Sequence, residues 1–166
     1  MNDTQLKILK TMSEATSRMD INAFSQAVDL TNDDVLAMFQ QLTAEGFLHK
    51  VGIGYSLTEK GKNAIKTIHR VPDDKAFNFY VAVDKPLGFS AHSLEELYRL
   101  IKQVTSDSLD FHVSRGDFEN WLRDIIGDRQ LALDFSGPRA AGLHGEDLRK
   151  RLVSAMDRRY GINELL

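Results

Sequence analysis

The sequence predicts an α+β chain, mainly helical, in two parts. Residues 1–70 read as three helices, a hairpin and a helix, and residues 76–166 as a small helical part with a short β-hairpin. Three observations predict this. Apolar residues recur at three- and four-residue spacing through most segments. The short apolar runs Phe47-Leu48-His49-Lys50-Val51 and Tyr55-Ser56-Leu57 flank the turn Gly52-Ile53-Gly54. A polar stretch with a helix-stopping proline, Val71-Pro72-Asp73-Asp74-Lys75, reads as a linker between the parts.

The first part can be justified element by element. Leu6, Ile8, Leu9, Met12, Ala15 and Met19 predict a helix over 4–19. Asp20 is the expected N-cap of a short helix that runs through Val28 and buries Ile21 and Phe24. Leu30-Thr31-Asn32-Asp33-Asp34-Val35 marks a third start. Thr31 caps it, Asp34 stands at the return position of a capping box, and Leu30 with Val35 forms a hydrophobic staple. Asp33 and Asp34 also suit the positive end of the helix dipole. Val35, Phe39 and Leu42 form its buried stripe and Gly46 ends it. After the hairpin, Thr58 caps a last helix from Glu59 to about His69.

Two strings, Leu42-Thr43-Ala44-Glu45-Gly46-Phe47-Leu48 and Tyr55-Ser56-Leu57-Thr58-Glu59-Lys60-Gly61-Lys62, resemble the winged helix-turn-helix family, in particular its MarR-like and related archaeal regulators. The resemblance covers residues 3–70. It implies a third helix in the DNA major groove and a hairpin wing on the minor groove or backbone. Carried over by position, the groove-facing candidates are Asn32, Ala37, Gln40, Gln41 and Ala44. Gln40 and Gln41 would read bases, since Asn and Gln can pair with adenine edges. Lys50, Lys60, Lys62 and Lys66 would hold phosphates. Lys62, Lys66 and Arg70 fall at four-residue spacing and read either as a phosphate-contacting strip or as a solvated helix face.

The chain departs from the family where charge matters. No Lys or Arg lies between Arg18 and Lys50, the presumed recognition helix opens with acids, and the wing is three uncharged residues. DNA binding draws most of its affinity from neutralised phosphates. Two readings therefore stand. One is a DNA-binding transcriptional regulator whose C-terminal part senses, dimerises or recruits. The other is a non-enzymatic adaptor whose acidic winged helix contacts protein and leaves DNA alone. A homodimer would strengthen the first, because two-fold proteins read two half-sites; the helix over 4–19 and the C-terminal helix are the candidate surfaces.

In the second part, Ala76 to Val83 reads as a strand with Phe77, Phe79, Val81 and Val83 on one face, Asp84 to Gly88 as a turn, and Phe89 to Ala91 as the returning strand. Ser93 and Glu96 form a capping box before Leu94, Leu97, Tyr98, Ile101 and Val104. Thr105 to Ser114 fits both a strand and a helix, and the helix is preferred. Arg115-Gly116 turns the chain, and Asp117 caps a helix holding Phe118, Trp121, Leu122 and Ile125 that ends at Gly127-Asp128. A short helix over 128–135 and a Gly/Pro-rich loop over 136–145 follow. The last helix, 146–160, has Leu148, Leu152 and Met156 on one side and Arg149, Lys150, Arg151, Arg158 and Arg159 on the other.

The pattern Phe111-His112-x-x-Arg115-Gly116-Asp117-Phe118-x-x-Trp121, with Ser93 to Leu97 before it and Gly127-Asp128 after it, is similar to a mostly archaeal domain of unknown function; the likeness covers residues 77–133. It brings no activity with it. His112, Arg115, Asp117 and Trp121 are candidate partner-binding residues, because a charge pair beside an aromatic is a common interface anchor. The same four also read as an internal fastening: Asp117 capping, Arg115 paired with an acid, Trp121 in the core, His112 held by a backbone group.

Composition narrows the function classes. Residues 1–70 carry eight basic and eight acidic side chains and residues 71–166 carry thirteen and sixteen, so neither part is basic. The chain has no cysteine, which removes disulfides, thiolate metal sites and cysteine nucleophiles. No phosphate-cradling loop, zinc-binding His motif or Gly-x-Ser-x-Gly elbow occurs, and Asp110-x-His112 is the sole weak metal spacing. The expectation is a non-enzyme without cofactor. With a polar N-terminus and no apolar run of the ~18 residues needed to span a bilayer, a cytoplasmic location without membrane contact is expected.

Overall fold

The computed structural model describes residues 1–15 and 19–165. It is α+β and mostly helical, with two small antiparallel hairpins. The chain divides into two compact units, Met1–Lys66 with Leu165, and Thr67–Glu164.

The first unit contains α1 (Asp3–Glu14), α2 (Ile21–Val28), α3 (Asn32–Ala44), β1 (Leu48–Val51), β2 (Gly54–Leu57) and most of α4 (Glu59–Ile68). Local signals set most of these limits. Asp20 accepts the Ala23 amide hydrogen at 2.8 Å and Thr31 Oγ1 that of Asp34 at 3.1 Å, so both predicted caps form. A complete capping box opens α1 instead, between Asn2 and Gln5. The predicted helix over 4–19 ends at Glu14, and residues 16–18 of that expectation lie outside the described residues. Ile8, Leu9, Phe24, Val28, Val35, Phe39, Leu42 and Phe47 meet in one core. Each such side chain contributes roughly 1.5–3 kcal/mol on burial.

Gly61 shows why this unit uses glycine in α4. A Cβ there would sit 2.3 Å from the Phe47 carbonyl oxygen and 3.2 Å from Leu57 Cδ2. Thr58 joins the same corner: its hydroxyl donates to Gly46 O at 2.6 Å and accepts the Gly61 amide hydrogen at 3.1 Å. α4 ends at Ile68, so Arg70 is not on that helix and the expected Lys62–Lys66–Arg70 strip does not form; Arg70 pairs with Glu96.

The second unit contains β3 (Phe77–Ala82), β4 (Lys85–Ala91), α5 (Leu94–Gln103), α6 (Ser106–Arg115), α7 (Asp117–Trp121), α8 (Arg129–Ala140) and α9 (Gly145–Tyr160); α10 (Ile162–Leu165) closes the chain. Residues 71–75, expected to be a linker, are fastened to this unit. The Val71 amide donates to His92 O at 2.7 Å, Asp73–Lys75 make a 3-10 turn, and the Trp121 indole donates to Lys75 O at 2.7 Å.

Four expectations for this unit are corrected. Phe77 and Phe79 are buried but Val83 is exposed, because β3 ends at Ala82 and Val83 stands in the turn. The β3–β4 register also shifts twice, between Asn78 and Tyr80 and between Tyr80 and Ala82. The returning strand starts at Lys85, not Phe89, since Asp84 takes a left-handed conformation (φ 60°) and makes the turn alone with Val83. Asp117 does not cap α7; Gly116, at φ 72°, stands at that position, and the Asp117 carboxylate turns to His112. Finally, α8 continues through Gly137 and Pro138 to Ala140. Proline forfeits one helical hydrogen bond. Here its ring is buried, and its carbonyl accepts the Leu143 amide hydrogen at 3.0 Å.

Elsewhere the local signals hold. The ambiguous stretch over 105–114 is a helix, and the segment after Trp121 widens into one π turn, Leu122–Ile126, before Gly127. Ser93 caps α5, but Glu96 reaches one residue further back, accepting the His92 amide hydrogen at 2.7 Å. Among the described residues no helix is long and apolar enough to cross a membrane.

Candidate functional site

In the first unit, α3 and the β1–β2 hairpin place the residues expected to contact DNA. Asn32 opens α3 and donates to Asn22 Oδ1 at 2.6 Å. Gln40 is exposed, while Gln41 Nε2 donates to Glu45 Oε1 at 3.0 Å. Ala37 and Ala44 are exposed. Lys50 is exposed on β1. Lys60 donates to the Glu45 carbonyl at 3.0 Å and lies 4.6 Å from the centre of the Phe47 ring, and Lys62 pairs with Glu59 at 3.1 Å. Lys66 is half-buried in the last turn of α4. Two of the four expected phosphate contacts are thus turned onto their own unit, and α3 adds no cation.

Beside these residues lies a groove of about 820 Å³, formed by the end of α1, the start of α2, α3 and the hairpin. Phe24 and Phe39 pack 5.2 Å apart between ring centres and Phe39 and Tyr55 4.8 Å apart, and all three line it. Its rim is apolar and open: Leu36 is 42% exposed, Val51 54% and Ile53 90%. Asp20 is also on the lining. Sequence reading did not single out this groove. The signal was Ile53 between two turn glycines, where a large apolar side chain has no neighbour to bury it.

In the second unit the structure brings His112, Arg115, Asp117 and Trp121 together around one shallow cleft of about 430 Å³, which Phe77 and Tyr80 also line. Gly116 permits this by turning the chain between α6 and α7. His112 is 2% exposed and ringed by Phe77, Phe79 and Phe118. Its Nε2 accepts the Tyr80 amide hydrogen at 2.9 Å, so its own proton is on Nδ1, 2.9 Å from Asp117 Oδ2. Burial pulls the imidazole below its ordinary pKa; the Asp117 carboxylate opposes that, and the Arg115 guanidinium adds to it. Arg115 Nε is 3.3 Å from the same Asp117 oxygen, and its guanidinium lies 4.9 Å from the Phe111 ring centre.

The pairing has the outline of a histidine–carboxylate base, but it is spent internally. The Nε2 lone pair that would take a substrate proton is committed to a backbone N–H. The Asp110 carboxylate faces away from His112, accepting the Gly145 amide hydrogen at 3.1 Å and lying 3.6 Å from His144. Among the described residues no three His, Asp or Glu side chains are gathered as metal ligands.

A second buried carboxylate, Asp128, caps α8 through the Leu131 amide at 3.0 Å and binds Arg159 at 3.1 and 3.2 Å and the Tyr160 hydroxyl. Burial raises its pKa, but the bonds from Tyr160, Arg159 and Leu131 outweigh burial and leave it below the usual carboxylate range. Sequence reading placed Asp128 only at the junction of two helices, because Arg159 and Tyr160 are some thirty positions away. No protein-family model matches this chain, and neither does any curated protein or solved structure.

Proposed function

We propose that this chain is a non-enzymatic interaction protein whose first unit, a winged helix-turn-helix, engages a protein partner instead of DNA. One observation carries the reading. The face that a DNA reader sets into the groove has no Lys or Arg on α3 and exposes Leu36, Val51 and Ile53. An apolar rim without cations suits a protein surface. Phosphate contact needs the opposite. The second unit fits the same reading, since its histidine, aspartate and tryptophan are engaged in internal bonds that hold a scaffold together.

The test is fluorescence anisotropy with a labelled random duplex of about 30 base pairs at low and moderate salt. The adaptor reading expects no binding at either. A DNA-binding regulator using Lys50, Lys60, Lys62 and Lys66 would neutralise up to four phosphates. Its affinity would fall about 150-fold for a fourfold rise in salt. Binding of that kind, lost in Lys60→Glu/Lys62→Glu, would overturn the adaptor reading and make Gln40 and Gln41 the first base readers to test.

A further inference from the structure

We infer that the groove of the first unit receives an amphipathic helix of a partner protein, with apolar anchors and Lys or Arg at its flanks. This rests on the reading above that the unit binds protein. The groove has the room for several anchors, about 820 Å³, and its lining is apolar on every element: Met12, Met19, Ile21, Phe24, Leu36 and Ile53. The two methionines are unbranched and can repack around side chains of different shape. Helices dock in such grooves through anchors one turn apart.

Charge selects the occupant. Lys and Arg are absent between Arg18 and Lys50, and two acids of that stretch, Asp20 and Asp33, stand at the groove. Asp20 lines the groove. Asp33 is one helical turn before Leu36 and so lies on the same face of α3. Of the neighbouring cations, Arg18 lies outside the described residues, and two others do not oppose this. Lys10 is 4.0 Å from Glu14, and Lys50 alternates with Val51 along β1 and so points to the other side of the hairpin. A second copy of the chain would bring the same acids face to face, and like charges across an interface are unfavourable. An anionic lipid surface is disfavoured for the same reason. A cationic amphipathic helix matches both the apolar lining and the carboxylates of Asp20 and Asp33.

The full chain is titrated against a labelled helical peptide of about 15 residues, with leucines at i, i+3, i+4 and i+7 and lysines at its flanks, and against the same peptide with glutamates for the lysines. The lysine peptide is expected to bind at least about tenfold more tightly. Leu36→Ser/Ile53→Ser, at two exposed positions, should remove binding while circular dichroism stays unchanged. Asp20→Asn/Asp33→Asn, in which Asn keeps the α2 cap, should bring the two peptides within about threefold of each other. Failure of the lysine peptide to bind, equal binding of both peptides, or binding indifferent to Leu36→Ser/Ile53→Ser would each overturn the inference. Duplex binding in the preceding experiment would remove the protein reading itself. If neither duplex nor peptide binds, this inference falls while the protein-binding reading stands.

Discussion

The ring of His112 takes the place of a neighbouring strand for Tyr80: its Nε2 accepts the Tyr80 amide hydrogen at 2.9 Å. One turn earlier on α6, the Ser108 hydroxyl donates to the Tyr80 carbonyl at 2.7 Å. Both backbone polar groups of Tyr80 are therefore satisfied by side chains of a helix. Across the hairpin Tyr80 faces Pro86, which has no N–H to offer. A two-stranded sheet is marginal alone, and here α6 supplies the missing partners.

Replacing His112 by Ala should cost about 3 kcal/mol, from a buried N–H left without an acceptor and a cavity among Phe77, Phe79 and Phe118. His112→Gln, whose Oε1 can still accept from Tyr80, should recover part of that loss. Urea unfolding followed by Trp121 fluorescence measures both, since the chain's one tryptophan is in this unit. Equal stability of wild type and His112→Ala would refute the role.

The same residue predicts a pH dependence. Burial lowers the folded-state pKa of His112 below the ordinary histidine value. The unfolded chain then binds more protons than the folded chain as the pH drops below ~6.5. Stability from this group is complete above that value and is lost as the pH falls through the folded pKa. Thermal midpoints recorded from pH 8 to pH 5 should decline toward the acidic end, and the decline between about 7 and 5 should shrink in His112→Gln. An unchanged slope in that variant would assign the effect elsewhere.

Asp128 links the start of α8 to the end of α9 through Tyr160 and Arg159. Tyr160→Phe removes one donor to a buried carboxylate and should cost about 1.5–3 kcal/mol, the range for hydrogen bonds to charged groups. Because the Asp128 pKa is lowered overall, its contribution is present above ~3.9 and disappears as the pH falls through the folded value. Acid unfolding monitored by circular dichroism should therefore begin at higher pH in Tyr160→Phe than in the wild type.

Two glycines separate close approach from backbone conformation. Gly61→Ala drives a Cβ into the Phe47 carbonyl and should lower stability by about 3 kcal/mol or more. Gly52 has nothing within 4 Å of a Cβ but sits at φ 60°, so Gly52→Ala should cost only about 1–2 kcal/mol. Thermal melts of the two variants check the order, and a larger loss at Gly52 would contradict it.

Features that act within one or two helical turns could be read directly from the residues. The caps at Asp20, Thr31, Thr58 and Ser93, the Val35–Phe39–Leu42 stripe, the order of three helices, a hairpin and a helix, and the cation-free stretch before Lys50 all depend on neighbours a few positions away. Folding had to settle whatever depends on distant partners. The Asp117 carboxylate serves His112 and not the helix it begins, Val71 to Lys75 are fastened by His92 and Trp121, α8 runs past Pro138, and Asp128 meets Tyr160 thirty-two positions away. The groove beside Leu36 and Ile53 belongs to this second group. Exposure of a side chain is a property of the surface that packing leaves uncovered, and spacing along the chain does not record it.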